Sequence, residues 1–242
     1  MAGTVRAGGA RAEAAYVRAL LVLTAATGAI DGVSYLALDR VFTGNMTGNV
    51  LFIGFGIVGV QDIPLVNNLV ALLTFMLGAV LGARVAGHNA GGVRLRRSAL
   101  VMVLVNTVLV LALAVVWIIL GRIGTPVMVV ITGLLALLLG AQAAAVKQIG
   151  IRDLSTVVVT MTMVNLSTDS RVAGGRGVAW FRRVAAVVTM GVGALAAAAL
   201  TRYLGGAYAL ALAGVVMAFG ALALGRARRL DAAEPAPGPS AG

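Results

Sequence analysis

The sequence specifies an all-α membrane protein: six transmembrane helices plus two short re-entrant or broken segments, arranged as two inverted-topology repeats. Three observations carry that expectation. The 242 residues are 60% hydrophobic and 11% charged, with a mean hydropathy of +1.02, far outside the composition of soluble globular chains. The basic residues fall unevenly among the loops, and a fixed order of long and short apolar segments occurs twice.

Long apolar runs cover 16–38, 65–87, 99–120, 126–146, 184–201 and 203–225. Each is near the ~20 residues that cross a ~30 Å hydrocarbon core. Two further pieces, 45–60 and 154–167, are preceded or interrupted by Asn, Thr and Ser. As helices they would reach only about 24 and 21 Å, so they are the candidates for insertion without crossing. Residues 1–15 are small and basic, and 231–242 read "DAAEPAPGPSAG". Both tails are expected to be disordered and cytoplasmic, since neither carries enough apolar surface to bury. The basic start followed by "ALLVLTAATGA" imitates a signal peptide, but the apolar run continues past Ala29 and is read as a span.

The net charge of +11 would suggest nucleic acid in a soluble protein. Here the basic residues sit in short loops between spans, so no nucleic acid is expected and the partner is the anionic lipid surface. If all eight apolar pieces crossed, eight of the 19 basic residues would lie outside. If the two short pieces enter and leave by one face, only Arg40, Arg122 and Arg202 lie outside. The second arrangement obeys the positive-inside rule far better and puts both termini in the cytoplasm. It also places Trp117, Tyr203 and Tyr208 at the outer interface and Tyr16 and Trp180 at the inner one.

The two halves, 16–120 and 126–225, are weakly alike. Gly28-Ala29 matches Gly140-Ala141 and Arg40 matches Arg152 at an offset of 112, and after three inserted residues Met46-Thr47 matches Met161-Thr162, Thr74 matches Thr189 and Gly78-Ala79 matches Gly193-Ala194 at 115. Each half has three spans, an odd number, so the second must be inverted relative to the first. Half-length segments in inverted repeats are a transporter and channel architecture, because non-helical backbone at depth needs protein or a water-filled cavity around it.

In "VFTGNMTGNV" the residues Thr43, Asn45, Thr47 and Asn49 alternate with the period of an extended segment. Thr160 and Thr162 repeat the spacing, with Asn165 beyond them. An extended stretch leading into a half-helix near Gly48 would present backbone N–H groups, a positive dipole end and amides to a small polar or anionic solute at the midplane. The competing reading makes Gly44 and Gly48 a packing contact of the Gly-x-x-x-Gly kind, as for Gly28/Gly32 and Gly78/Gly82. Asp31 lies inside the first span, where an ionisable group costs a few kcal/mol unless it is paired or functional. Gly28, Asp31, Gly32 and Tyr35 share a helical face. Asp31 is therefore a candidate proton or cation site with Tyr35 as a hydrogen-bond donor, and the bland alternative is an ion pair with Arg40. Ala143 stands at the matching position of the second half, so any such site is asymmetric.

Disulfides, thiol chemistry and iron–sulfur clusters are excluded by the absence of cysteine, and the lone His88 offers no metal-site spacing. No cofactor or metal is expected. No Ser/His/Asp set, carboxylate pair, P-loop or dinucleotide fingerprint occurs, so no enzyme is expected either. The sequons at Asn45 and Asn165 fall in inserted segments and are discounted. The leading expectation is a secondary transporter or channel-like carrier, lined by Asp31, Tyr35, Asn45, Thr47, Asn49, Thr160, Thr162 and Asn165. The alternative is a non-transporting scaffold or sensor whose partners, a second copy of the chain in a homo-oligomer among them, would use the glycine faces and the arginine loops 84–97 and 171–183.

The segment "GAIDGVSYLALDRVFTGNMTGNVLFIG" resembles the YoaK-type family of bacterial membrane proteins, a domain of unknown function. Gly28, Asp31, Val33, Ser34, Tyr35 and Leu36 fit its Gly-x-x-Asp-x-Val-Ser-Tyr-Leu hallmark, and Asn45 to Asn49 fit its Asn-Met-Thr-Gly-Asn. The likeness extends over about 16–226. The second motif of that family usually reads as a Thr-x-x-Thr-Gly-Thr-like run, and here Met161 stands where glycine is expected. The resemblance implies a multi-pass bacterial inner-membrane protein and assigns no substrate.

Overall fold

The computed structural model describes residues 7–87, 95–151, 159–170, 173–175 and 180–233. These form eight helices and no strand: α1 (Ala7–Ala37), α2 (Met46–Ile57), α3 (Leu65–Ala86), α4 (Arg97–Leu120), α5 (Thr125–Lys147), α6 (Val159–Thr168), α7 (Trp180–Tyr203) and α8 (Gly206–Ala232). Six of them are long and apolar enough to cross a membrane; α2, with 12 residues, and α6, with 10, are not. The six spans coincide with the six long apolar runs. Arg6, Arg94, Arg152, Arg171 and Arg176, all counted in the charge partition, lie outside the described residues.

At the N-terminus the structure departs from the expected disorder: α1 begins at Ala7, nine residues before position 16. Its first turns, "AGGARAEAA", hold several strong helix formers, and Glu13 reaches Arg182 of α7 at 3.6 Å. The α7–α8 connection is only Leu204-Gly205, and such a tight reversal needs the φ of +103° that Gly205 supplies. Next to it Gly206 lacks a side chain, and the space is filled by Trp117 and Ala37. Trp117 is accordingly buried rather than displayed at an interface, and Tyr16 is wholly buried as well. Tyr203, Tyr208 and Trp180 are at least half exposed.

Close approaches between helices fix their directions. Along α8, Gly206 faces Ala37 and Gly220 faces Leu23, so α1 and α8 are antiparallel. Gly206 and Gly214 face Trp117 and Leu111, so α4 and α8 are antiparallel too. Hence α1 and α4 run the same way. An odd number of crossings must then separate them in the sequence, and α3 alone of α2 and α3 is long enough to span.

Two parallel crossings share one construction. In α1·α7, Gly28 lies against the carbonyl of Met190 and Gly193 against the carbonyl of Ala25. In α3·α5, Gly140 lies against the carbonyl of Phe75 and Gly78 against that of Leu137. Gly28 and Ala25 map onto Gly140 and Leu137 at the offset of 112, and Gly193 and Met190 map onto Gly78 and Phe75 at 115. Thr74 and Thr189 likewise bond the carbonyls four residues back, at 2.7 and 2.8 Å. Without a hydrophobic drive between helices in lipid, such small-residue contacts let backbones approach and supply van der Waals attraction. The first spans of the two halves, α1 and α5, are the most enclosed, with 67% and 56% of their apolar windows buried.

Candidate functional site

The chain leaves α1 at Ala37, passes through two left-handed residues, Asp39 and Arg40 (φ +70° and +55°), and doubles back along the helix it has just left. Asp31 is the reason it stays there. Its Oδ1 accepts the backbone N–H of Thr43 at 2.9 Å, the N–H of Gly44 at 2.6 Å and the Thr43 hydroxyl at 3.3 Å. Asp31 lies six residues before the end of α1, about 9 Å along the axis. The non-helical stretch is therefore carried inward by that depth before α2 begins at Met46. From there α2 heads back: Gly56 packs against Leu65, the first residue of α3, and Asn67 donates to the carbonyl of Leu38 at 2.9 Å, so the start of α3 lies beside the end of α1.

Backbone polar groups at such depth must find partners within the protein. Asn49 supplies two of them in a side-chain imitation of a β-bridge: its Nδ2 donates to the carbonyl of Phe42 at 2.6 Å and its Oδ1 accepts the Phe42 N–H at 3.0 Å. The Phe42 ring stacks on Tyr35 (centroids 4.9 Å apart, 20° between planes) and lies 6.2 Å from Phe52, joining α1 to α2. Val41 is buried against Ala71 of α3 and Ala136 of α5. Gly44 is closely surrounded: a Cβ there would sit 3.2 Å from both Asp31 Oδ2 and the Thr27 methyl.

One atom of this set has no partner. Asp31 Oδ2 is buried without a hydrogen bond, and Arg40, exposed above, forms no ion pair with it. Two more buried acceptors, Asn67 Oδ1 and Asn68 Oδ1, are also unpartnered at the head of α3. Above them Asp39, Arg40, Asp62, Ile63 and Pro64 line a surface cavity of about 380 Å³. Asp62, at φ +61°, is also left-handed.

The sequence-selected residues separate into groups. Asp31 and Asn49 converge on the stretch 42–44. Tyr35 stacks on Phe42 and makes no bond to Asp31. Asn45 and Thr47 are exposed, since α2 starts two residues before Gly48 and the extended alternation ends with it. In the second half Thr160 is exposed, Thr162 is buried, and the carbonyl of Asn165 accepts Arg183 Nη1 at 2.9 Å. Arg183 also pairs with Asp169 at 2.9 Å. Among the described residues α2 packs on α3 and α6 on α7, with no comparable packing of α2 on α6. Asp31, Thr43, Asn67 and Asn68 thus build the site on the first insertion, and Arg183 does so on the second. Asn67, Asn68 and Arg183 gave no sequence signal beyond being polar at the start of a span.

The fold and site define a multi-pass helical membrane protein with a short polar insertion stapled to its first span. A family model described as "Protein of unknown function (DUF1275)" matches residues 19–223, and the chain belongs to that family. It is 32% identical over 157 residues to the UPF0700 transmembrane protein YoaK of Bacillus subtilis (strain 168), covering 64% of this chain and 68% of that protein. No solved structure matches.

Proposed function

We propose that the protein is a secondary transporter or channel-like carrier for a small polar or anionic solute, with a proton or cation taken up at Asp31. The carrying observation is the unequal use of the two Asp31 oxygens: Oδ1 holds the insertion at depth, while Oδ2 is buried and unpartnered. An ion or proton arriving at Oδ2 withdraws negative charge from the bonds to Thr43 and Gly44, and charge-assisted bonds are about twice as strong as neutral ones. Loading the carboxylate therefore loosens the insertion, which couples the ion to the opening of the outer face. The offsets shared by the α1·α7 and α3·α5 crossings support two inverted repeats, with α2 and α6 as re-entrant segments gating opposite faces. The cavity bounded by Asp39, Arg40 and Asp62 is the outer mouth. The protein acts in the bacterial inner membrane with both termini in the cytoplasm, needs no cofactor and catalyses no reaction.

A second reading, a scaffold or sensor, is favoured by the closeness of the packing around Gly44 and the two bonds that fix Asn49. One experiment separates the two. Proteoliposomes holding a pH-sensitive dye are challenged with chloride, nitrate, phosphate, acetate and lactate. At least one solute is expected to give a dye response that Asp31→Asn abolishes without loss of helicity. A silent panel supports the scaffold instead, and an Asp31→Asn protein that responds like the parent removes Asp31 from the transport mechanism.

A further inference from the structure

Away from the insertion, α4 and α8 diverge at the arginine-rich end of the bundle and leave a groove of about 390 Å³. Its membrane-side wall is apolar, formed by Leu100, Leu104 and Leu222, and its rim carries Arg226, Arg228 and Arg229. Leu104 and Leu222 are 38% and 57% exposed, so the apolar part opens to lipid rather than to another helix. At the floor lies Gly225, whose added Cβ would meet nothing nearer than Leu100 Cδ2 at 3.9 Å. Unlike the glycines of the α1·α7 and α3·α5 crossings, Gly225 marks vacant space and not a helix contact.

Among the described residues none of the three guanidiniums forms an ion pair. The one carboxylate of α8, Asp231, lies near Tyr16 on α1, as does Arg228, so Arg226 and Arg229 are the two cations left to the groove. Two general effects favour arginines here, the negative end of the helix dipole and snorkelling to the interface, but neither hollows out a groove beneath them. A surface with two unpaired cations, Arg226 and Arg229, above an apolar, lipid-facing trough is complementary to an amphiphile with a negative head.

We propose that this groove is a binding site for an anionic phospholipid, its phosphate held between Arg226 and Arg229 and an acyl chain lying over Gly225 along Leu104 and Leu222. Basic pockets between spans on the cytoplasmic side are suited to such head groups. The apolar wall decides against a free phosphate, which would leave Leu104 and Leu222 unused. The proposal does not depend on transport.

The test is native mass spectrometry of the full chain released from nanodiscs of equal phosphatidylglycerol and phosphatidylcholine. The parent protein is expected to retain phosphatidylglycerol preferentially. Arg226→Gln with Arg229→Gln should lower that retention about thirty-fold, at roughly fivefold per arginine, and the paired lysine substitutions should restore most of it. Gly225→Phe, which fills the trough without meeting a backbone, should abolish it with helicity unchanged. Equal retention of the two lipids by the parent, or undiminished retention by the double glutamine variant, overturns the proposal. So does displacement of the lipid by millimolar glycerol phosphate, which would identify a free-anion site.

Discussion

Asp31→Ala is expected to release the first insertion. Thr43 and Gly44 lose the only acceptor their N–H groups have, and both residues are buried. A buried donor left without a partner costs about 1–3 kcal/mol, and the Thr43 hydroxyl adds a smaller loss. Relief of burying the carboxylate does not offset this. The first span remains in lipid whether or not the insertion is docked, so the cost of desolvating Asp31 is common to both states. The docked stretch should thus weaken by about 3–5 kcal/mol. Amide hydrogen exchange across 42–49 should quicken by about 10²–10⁴-fold while the cores of α4 and α8 keep their protection. Asp31→Asn retains an acceptor at Oδ1 and should lose about 1–2 kcal/mol, enough to distinguish the staple from the ion site. Unchanged exchange in the alanine variant would show that the bonds to Asp31 do not hold the insertion.

The second large effect lies at the glycine crossings. A valine at Gly78 would drive its Cβ into the Leu137 carbonyl group, and one at Gly193 into that of Ala25. The obstructing atoms are backbone, which cannot rotate away, so each pair of helices must separate. The cost should exceed the 1–3 kcal/mol usual for overpacking, read as a loss of folded protein in detergent on heating. The two variants should be similarly damaged, because the same contact is made twice. Gly54→Ala and Gly191→Ala are the controls: an added Cβ there meets nothing within 4 Å, and alanine favours helix over glycine by about 1 kcal/mol. Damage at Gly78 alone would argue against equivalent roles for the two crossings.

Much of this arrangement was legible in the sequence. Six spans follow from length and hydropathy, which report the solvent each helix meets. Gly28 and Gly78 were readable as contacts, since in lipid the absence of a side chain is itself the attraction; Gly140 and Gly193 were readable only as their counterparts in the repeat. Asp31 stood out because a carboxylate in a span needs a reason.

What the sequence did not convey depends on chain direction after α1. The alternation of Thr43, Asn45, Thr47 and Asn49 suggests a continuous extended segment, yet only its first part is extended. Asn45 ends that part as the α2 N-cap without a side-chain cap bond, so the usual signature of a helix start was missing. Tyr35 shares a helical face with Asp31, but Phe42 returns to cover its ring, and no periodicity encodes that. Arg182 and Arg183 read as loop charges because their carboxylates, Glu13 and Asp169, lie far off in sequence or across a loop.

The central claim is that the first insertion enters and leaves by one face. It is tested most directly in intact cells, using single cysteines introduced into this cysteine-free chain at Asp39, Gln61 and Gly174, with a membrane-impermeant maleimide. Asp39 and Gln61 flank the insertion, before and after α2; Gly174 follows α6. Labelling of Asp39→Cys and Gln61→Cys from outside, with Gly174→Cys protected until the membrane is breached, is the expected result. Labelling of Asp39→Cys with protection of Gln61→Cys would make α2 a crossing and contradict the claim.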